Sequence, residues 1–291
     1  MELLHYLEAT PTAFVIVAFL FGLLVGSFLN VVILRLPVML DRQWHSQCRD
    51  FLKLPQDEKP REKFNLILPA SRCPHCGHLI RAYENIPVLS YLFLRGKCAG
   101  CGSGISLRYP IIELATAILT AVTAAHFGFG WQAVFAVMLT WSLIALAVID
   151  FDTTLLPDAI TLPMLWLGLL LSIFGLFVAP SAAIIGAAAG YLALWSVYWL
   201  FKLLTGKEGM GYGDFKLLGM LGAWLGWKML PVVILLSSLV GAIVGIALIV
   251  FRGRDRSIPI PFGPYLAAAG WLALLWGEDV IQLYFQFAGI H

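Results

Sequence analysis

The chain has 291 residues, of which 60% are hydrophobic and only 12% are charged, and its mean hydropathy is +0.87. This composition excludes a water-soluble globule, because about a quarter of the residues in such proteins are charged. The net charge of +2 identifies no partner by itself, and we expect no binding to nucleic acid.

Apolar stretches that could cross a membrane follow one another along most of the chain. They cover residues 12–34, 110–127, 131–149, 159–179, 180–201, 214–230, 231–251 and 259–277. Pro180 and Pro231 mark breaks between neighbouring stretches, and the sixth stretch is short and rich in glycine. We therefore predict an all-α polytopic membrane protein with about eight transmembrane helices and the lipid bilayer as a direct partner.

The first apolar stretch is predicted to be a membrane helix and not a cleaved signal peptide. Glu2 and Glu8 stand where a signal would carry basic residues, and the apolar run after Thr12 is too long for a signal core. The predicted organisation has three parts. Residues 1–34 hold the first transmembrane helix, residues 35–108 form a cytoplasmic insert, and residues 109–291 form a membrane core of seven helices.

Basic residues determine the expected orientation. Twelve of the 19 Lys and Arg residues fall between positions 35 and 108, and an excess of these residues marks the cytoplasmic side. With eight spans, the basic loops around 202–207 and 252–256 also lie inside, whereas both acidic termini lie outside. Because successive spans cross in alternating directions, the same count places the end of the third stretch and the start of the sixth on the cytoplasmic side.

Four cysteines in the insert form two C-x-x-C pairs. Cys73 and Cys76 are followed, after 21 intervening residues, by Cys98 and Cys101. Two such pairs at this distance are typical of a tetrahedral zinc site. A stable disulfide is disfavoured in the cytoplasm, and a redox pair is the other alternative. We predict that the four thiolates bind zinc and that the metal folds the insert.

Two nearby histidines are secondary candidates at this site. His75 and His78 could each replace a sulfur ligand, although four cysteines already complete a tetrahedral shell. Cys48 is the fifth cysteine, and we expect it to be an unpaired, reduced thiol.

Asp150 and Asp214 lie 64 positions apart, each at the edge of an apolar stretch. A carboxylate beside hydrocarbon is costly, and two facing carboxylates can share a proton. Asp150 directly continues the third stretch, so its side chain is expected to face the helix bundle. Asp152 and Asp158 follow in the same segment, and we expect them to be solvated residues of a loop and a helix start.

Glycines at alternating positions, Gly209, Gly211 and Gly213, precede Asp214. Glycine lets the backbone approach a neighbour or a substrate closely, and Gly211 and Gly213 are predicted to support the aspartate. A nucleotide-binding loop is excluded because it would follow a strand of a βαβ unit. A simple helix cap is the alternative for Asp214. Paired with Asp150, it predicts an aspartic peptidase, in which one carboxylate takes a proton from water and the other stabilises the tetrahedral intermediate.

These motifs and several others resemble those of the bacterial type IV prepilin leader peptidase and N-methyltransferase family, which are membrane aspartic peptidases of the GxGD type. The resemblance covers essentially the whole chain. The motifs lie at 26–30, at the two cysteine pairs, and at 84–87, 108–110, 150–158, 207–214 and 261–264.

The resemblance implies a two-step activity at the cytoplasmic face of the bacterial inner membrane. Members of the family cleave the basic leader from type IV prepilins and type II secretion pseudopilins after a glycine. They then methylate the new N-terminal amine with S-adenosylmethionine. Asp150 and Asp214 match the catalytic aspartates of the family, and the four cysteines match a tetrad associated with zinc and methyl transfer.

The binding site for the methyl donor is not predicted from the sequence, and neither is the oligomeric state. Glu113 and Glu208 are candidates for binding the substrate amine. Their alternatives are an interfacial carboxylate for Glu113 and an ordinary loop charge for Glu208.

Other functions are compatible with parts of the sequence. A membrane transporter of ions or solutes could use paired carboxylates, but carriers place them near the bilayer midplane and often contain an internal repeat. A scaffold that docks a secretion partner through the zinc insert would leave both aspartates without a function. A protease of the presenilin-like kind, which cuts within the membrane, would have no use for the cytoplasmic insert.

Overall fold

A computed structural model describes residues 2–54, 63–252 and 260–288, and within these ranges the chain is all-α. The α-helices, in chain order, are α1 (Glu2–Ala9), α2 (Pro11–Phe51), α3 (Leu89–Phe93), α4 (Arg108–Phe127), α5 (Trp131–Thr153), α6 (Asp158–Ile173), α7 (Pro180–Thr205), α8 (Tyr212–Leu225), α9 (Leu230–Arg252) and α10 (Gly263–Ala288). The predicted all-α class is confirmed for the described residues. Arg254 and Arg256, which the predicted orientation places inside, lie outside the described residues.

Six helices in the described part of the chain are long and apolar enough to cross a bilayer. They are Pro11–Phe51, Arg108–Phe127, Trp131–Thr153, Pro180–Thr205, Trp227–Leu248 and Gly263–Gln286. The predicted number of eight is therefore not confirmed. Helix α6 has 16 residues and α8 has 14. At 1.5 Å per residue they reach only about 24 and 21 Å, less than the roughly 30 Å of the hydrocarbon layer.

The chain divides into two compact units, Met1–Phe129 and Gly130–His291. In the first unit, α2 and α4 pack closely along glycines of α2. A Cβ atom on Gly22 would lie 2.8 Å from Cα of Ala117, and one on Gly26 would lie 2.7 Å from Cα of Glu113. The small residues of this segment thus serve packing inside the unit.

The insert is held to α2 by Arg35. The guanidinium of this residue donates hydrogen bonds to the backbone carbonyls of Asn65 at 3.0 Å and of Pro69 at 2.7 Å. A charged donor with several N–H groups can satisfy two carbonyls at once. Residues 65–69 of the insert are therefore fastened to α2, which continues past the predicted boundary at residue 34 and ends at Phe51.

Helix α8 is the central helix of the second unit. It contacts α6, α7, α9 and α10, and its residues from 217 to 225 are all buried. Its contact with α7 depends on glycine, since a Cβ atom on Gly190 would lie 2.6 Å from the carbonyl oxygen of Leu218. A helix that is apolar on all sides needs apolar surroundings, and here other helices supply them.

Trp224 joins α8 to α6, and its loss should be measurable. Its Nε1 donates to the carbonyl oxygen of Met164 at 2.8 Å, and its ring fills the space above Gly168. We expect Trp224→Phe to lower the free energy of unfolding by about 1–3 kcal/mol, because a buried hydrogen bond and its packing are lost. Thermal denaturation in detergent measures this. Trp227→Phe is the control, since Trp227 is exposed, and an equal effect of both changes would contradict the prediction.

Candidate active site and metal centre

Asp150 lies in the last turn of α5 with its side chain inside the second unit. The residue is only 4% exposed, which confirms that it faces the bundle. Its Oδ2 atom accepts a hydrogen bond of 2.9 Å from the backbone N–H of Gly263, the first residue of α10. The N-terminus of a helix is an environment that favours a negative charge.

Asp214 lies in the first turn of α8 and is 6% exposed. Its carboxyl group is close enough to that of Asp150 for the two charges to interact. Like charges disfavour double ionisation, so the favourable state is the one in which one of the two groups keeps its proton. The structure therefore brings together the two aspartates that the sequence singled out.

Leu156 packs between the starts of α8 and α10, beside both aspartates. A Cβ atom on Gly213 would lie 2.7 Å from Cβ of Leu156, and one on Gly263 would lie 3.1 Å from its Cδ2. Gly211 is different, because the nearest atom to such a Cβ is Oδ2 of Asp214 at 3.9 Å, an ordinary contact distance. Packing thus requires glycine at 213 but leaves room for a methyl group at 211.

The two glycines of the motif should therefore respond differently to substitution. Gly213→Ala is expected to lower the free energy of unfolding by about 1–3 kcal/mol, because the new methyl group overpacks against Leu156. Gly211→Ala should change it by no more than about 0.5 kcal/mol. Thermal denaturation of both variants in the same detergent provides the comparison. Equal destabilisation of the two variants would mean that the contact with Leu156 does not exclude a methyl group at position 213.

The other two aspartates of the segment behave as expected for solvated residues. Asp152 is exposed near the end of α5, and Asp158 is exposed at the start of α6. Asp158 forms an ion pair with Lys216 of α8, with 2.7 Å between Nζ and Oδ2. The sequence did not predict this pair, since 58 positions separate its members and no local pattern connects them.

Exposed ion pairs contribute little to protein stability. This pair is formed by Asp158 and Lys216 and includes neither Asp150 nor Asp214. We expect Lys216→Met to change the free energy of unfolding by less than about 1 kcal/mol. Denaturation at low and high salt measures the effect, which should shrink as salt screens the charges. A large, salt-independent loss of stability would show that Lys216 supports the helix start in another way.

The two glutamates that were candidates for binding an amine already have partners. Glu208 accepts a hydrogen bond of 2.8 Å from Lys202, which also donates to the hydroxyl of Tyr198 at 3.2 Å. The bond from Lys202 lowers the pKa of Glu208. Glu113 is buried on α4, and its Oε2 accepts the backbone N–H of Val88 in the insert at 2.8 Å. Both contacts favour the structural alternatives, a paired loop charge and a carboxylate that holds the insert.

The four sulfurs of Cys73, Cys76, Cys98 and Cys101 lie within 4.8 Å of one another. Two of the Sγ–Sγ distances, Cys73 to Cys101 and Cys76 to Cys98, are 3.9 Å. A tetrahedral zinc ion with bonds of about 2.3 Å to sulfur requires separations of about 3.8 Å. The donor atoms and their spacing thus fit zinc.

Backbone turns shape each cysteine pair. The N–H of Gly77 donates to the carbonyl of Cys73, and the N–H of Gly102 donates to the carbonyl of Cys98, both at 2.9 Å. The two glycines have φ of +71° and +70°, a left-handed conformation that glycine adopts without steric cost. These turns bring the two sulfurs of each pair close together.

The histidines and the fifth cysteine lie outside the sulfur cluster. His75 is exposed, and Nε2 of His78 lies 3.1 Å from Oε2 of Glu84. Cys48 is an exposed, free cysteine on α2. The four-cysteine set is therefore the ligand set that the geometry supports.

The thiols have different pKa values because the backbone N–H groups and the neighbouring sulfurs around each one differ. Backbone N–H groups of Cys76 and His75 lower the pKa of Cys73 to about 6. The backbone at His78 acts on Cys76 in the same direction, but desolvation and the neighbouring sulfurs outweigh it and raise the pKa of Cys76 to about 12. Four thiolates in one place require a compensating cation, which is the charge that a zinc ion supplies.

Two family descriptions match consecutive parts of the chain. "Bacterial Peptidase A24 N-terminal domain" matches residues 20–127, and "Type IV leader peptidase family" matches residues 136–246. The first range lies within the first compact unit and the second within the second unit.

Relatives extend over the full chain. A prepilin leader peptidase/N-methyltransferase from Stutzerimonas stutzeri is 59% identical over 99% of both chains, and one from Pseudomonas aeruginosa is 58% identical over 99% of both. Another from Aeromonas hydrophila is 58% identical over 98% of this chain and 97% of its own. No solved structure matches the chain significantly. The resemblance seen in the sequence motifs is confirmed, and the chain belongs to the type IV leader peptidase family.

Proposed function

We propose that this protein removes the basic leader from type IV prepilins and type II secretion pseudopilins and then methylates the new N-terminal amine. The relatives of the chain are named for both activities. The observation that carries the proposal is the pair of buried carboxylates, Asp150 and Asp214, which interact at the meeting point of three helix ends in the second unit.

The two aspartates are proposed to divide the work of peptide hydrolysis. The ionised carboxylate takes a proton from water, and the resulting hydroxide forms a bond to the scissile carbonyl carbon. The protonated carboxyl group donates a hydrogen bond to the carbonyl oxygen and stabilises the tetrahedral intermediate. When that intermediate collapses, the C–N bond breaks and the leaving amine takes up the proton that the carboxylate removed from water. Because the two groups titrate as a pair, either aspartate can begin as the base.

The membrane setting suits such a substrate. A prepilin has a basic leader on the cytoplasmic side followed by an apolar helix, so the cleavage site lies at the inner interface. We accordingly place the protein in the bacterial inner membrane, with the N-terminus outside and the aspartates facing the cytoplasm. The proposed domain organisation has three parts: a first transmembrane helix (1–34), an insert (35–108) and a membrane core (109–291).

Zinc and S-adenosylmethionine are the proposed cofactors. Zinc would be held by Cys73, Cys76, Cys98 and Cys101 and would cross-link the insert, which supplies folding free energy. S-adenosylmethionine would supply the methyl group, and none of the described residues is assigned to binding it.

The direct test uses the purified full-length protein in detergent with a prepilin and S-adenosylmethionine carrying a labelled methyl group. We expect a shortened pilin by mass spectrometry and label on its new N-terminal residue. A pilin that already lacks the leader should be methylated without cleavage, which separates the two activities. Intact prepilin after incubation with folded protein would contradict the proposed cleavage.

A further inference from the structure

The start of α10 leaves one backbone donor for a partner outside the helix. The first N–H groups of a helix have no acceptor within it. Those of Tyr265 and Leu266 donate to the carbonyl just before the helix, at 3.1 and 3.2 Å. Pro264 has no N–H. The N–H of Gly263 is the one that remains among these four positions, and it donates to Oδ2 of Asp150 at 2.9 Å.

The same position has no room for a side chain. A Cβ atom on Gly263 would lie 2.7 Å from Oδ2 and 3.0 Å from Cγ of Asp150. Gly263 is not among the residues with positive φ, so its backbone conformation does not itself demand glycine. The aspartate carboxyl group, with Leu156 beside it, is what excludes any larger residue.

We infer that Gly263 is a positioning residue for leader cleavage, whose N–H holds the Asp150 carboxylate and whose missing side chain lets the carboxylate reach it. The inference rests on the proposed function. The donor lies at the N-terminus of α10, whose first segment runs to a kink at Trp276, and a helix N-terminus stabilises a negative charge. Oδ2 is thereby held in place, and the other oxygen is left to exchange a proton during cleavage.

Gly263→Ala is the first test. The new methyl group must displace the carboxylate, and a misplacement of about 1 Å in an active site can reduce the rate about 100-fold. We expect kcat for leader cleavage to fall by about this factor while KM stays within about twofold, because the substrate contacts are unchanged. A loss confined to kcat distinguishes positioning from a defect in substrate binding.

Gly270→Ala is the matched control on the same helix. A Cβ atom there would lie 2.5 Å from Cδ2 of Leu221, so the site is equally tight but contacts only an apolar side chain. We expect this variant to melt at a lower temperature and, once folded, to retain the kcat of the unmodified protein. If both variants lose activity only in proportion to their loss of folded protein, Gly263 has no positioning function.

An amide-to-ester replacement at position 263 removes the hydrogen bond to Asp150 without adding a side chain. It also makes the carbonyl of Phe262 a weaker acceptor for the N–H groups of Tyr265 and Leu266, so the melting temperature of the ester is measured as well. The replacement removes the N–H and adds no atom, so it also decides the question if Gly263→Ala does not fold. Loss of a hydrogen bond to a charged group should lower kcat about 10- to 100-fold. An unchanged kcat in the ester, or in folded Gly263→Ala, overturns the inference. Asp150→Asn is assayed in parallel, because normal cleavage by that variant would rule out the aspartate pair as the catalytic centre. Failure of the unmodified, folded protein to cleave prepilin would instead reject the proposed function itself.

Discussion

Replacing either Asp150 or Asp214 by asparagine is expected to reduce leader cleavage by about 10³-fold or more, within the range that general acid–base catalysis supplies. Asparagine keeps the size of the side chain but can neither accept the proton of water nor pass one on. The measurement is conversion of prepilin to pilin by membranes that contain equal amounts of each variant. The two single variants and the double variant should be similarly inactive, because residues that act as a unit have non-additive effects.

Two controls distinguish loss of catalysis from loss of folded protein. A buried carboxylate is costly, so an uncharged amide at either position should not lower the melting temperature. Asp152→Asn is the matched control, since it removes a carboxylate from the same segment at an exposed position, and it should cleave normally. Normal processing by Asp150→Asn or by Asp214→Asn would rule out the aspartate pair as the catalytic centre.

Replacing Cys73 or Cys98 by serine is expected to abolish stable zinc binding and to damage methylation at least as much as cleavage. A serine hydroxyl does not ionise at neutral pH, whereas zinc requires deprotonated ligands. Structural zinc contributes about 10–16 kcal/mol of apparent binding free energy in small zinc domains, so the insert should unfold without the metal. Native mass spectrometry of the protein in detergent reports the bound zinc, and labelled S-adenosylmethionine reports the methylation.

The fifth cysteine provides the control for that experiment. Cys48 is exposed on α2 and is not a member of the sulfur cluster, so Cys48→Ser should bind zinc and methylate normally. Normal methylation by a Cys73→Ser protein that lacks zinc would show that the metal only stabilises the insert. Zinc retained by both ligand variants would mean that the four sulfurs are not the binding site.

The limits of prediction from sequence are clearest in the membrane helices. Apolar stretches identified where helices form, but they could not distinguish a helix covered by lipid from one covered by protein. Helix α8 is apolar because α6, α7, α9 and α10 enclose it, and its 14 residues are too few to span. Hydropathy reports only that water is excluded, so it could not settle how many of these helices cross the bilayer, and the predicted number of eight is not confirmed.

Partners far apart in the chain could not be predicted either. Lys216 pairs with Asp158 over 58 positions, and Gly263 binds Asp150 over 113. Gly263 did belong to one of the motifs noted in the sequence, but nothing in that motif indicates which side chain it touches. Such contacts depend on how helices pack, and helix packing permits several arrangements for the same local pattern.

The sequence by itself determined the all-α class, the four cysteines as a candidate ligand set and the two aspartates as the unusual carboxylates. These follow from local chemistry, since composition, spacing and the cost of charge near hydrocarbon are properties of short segments. Only the tertiary structure decided which helices are enclosed by others, why glycine is required at 213 and 263, and which backbone N–H holds Asp150. Those features depend on the shape of the space between helices, and that space exists only once the chain has packed.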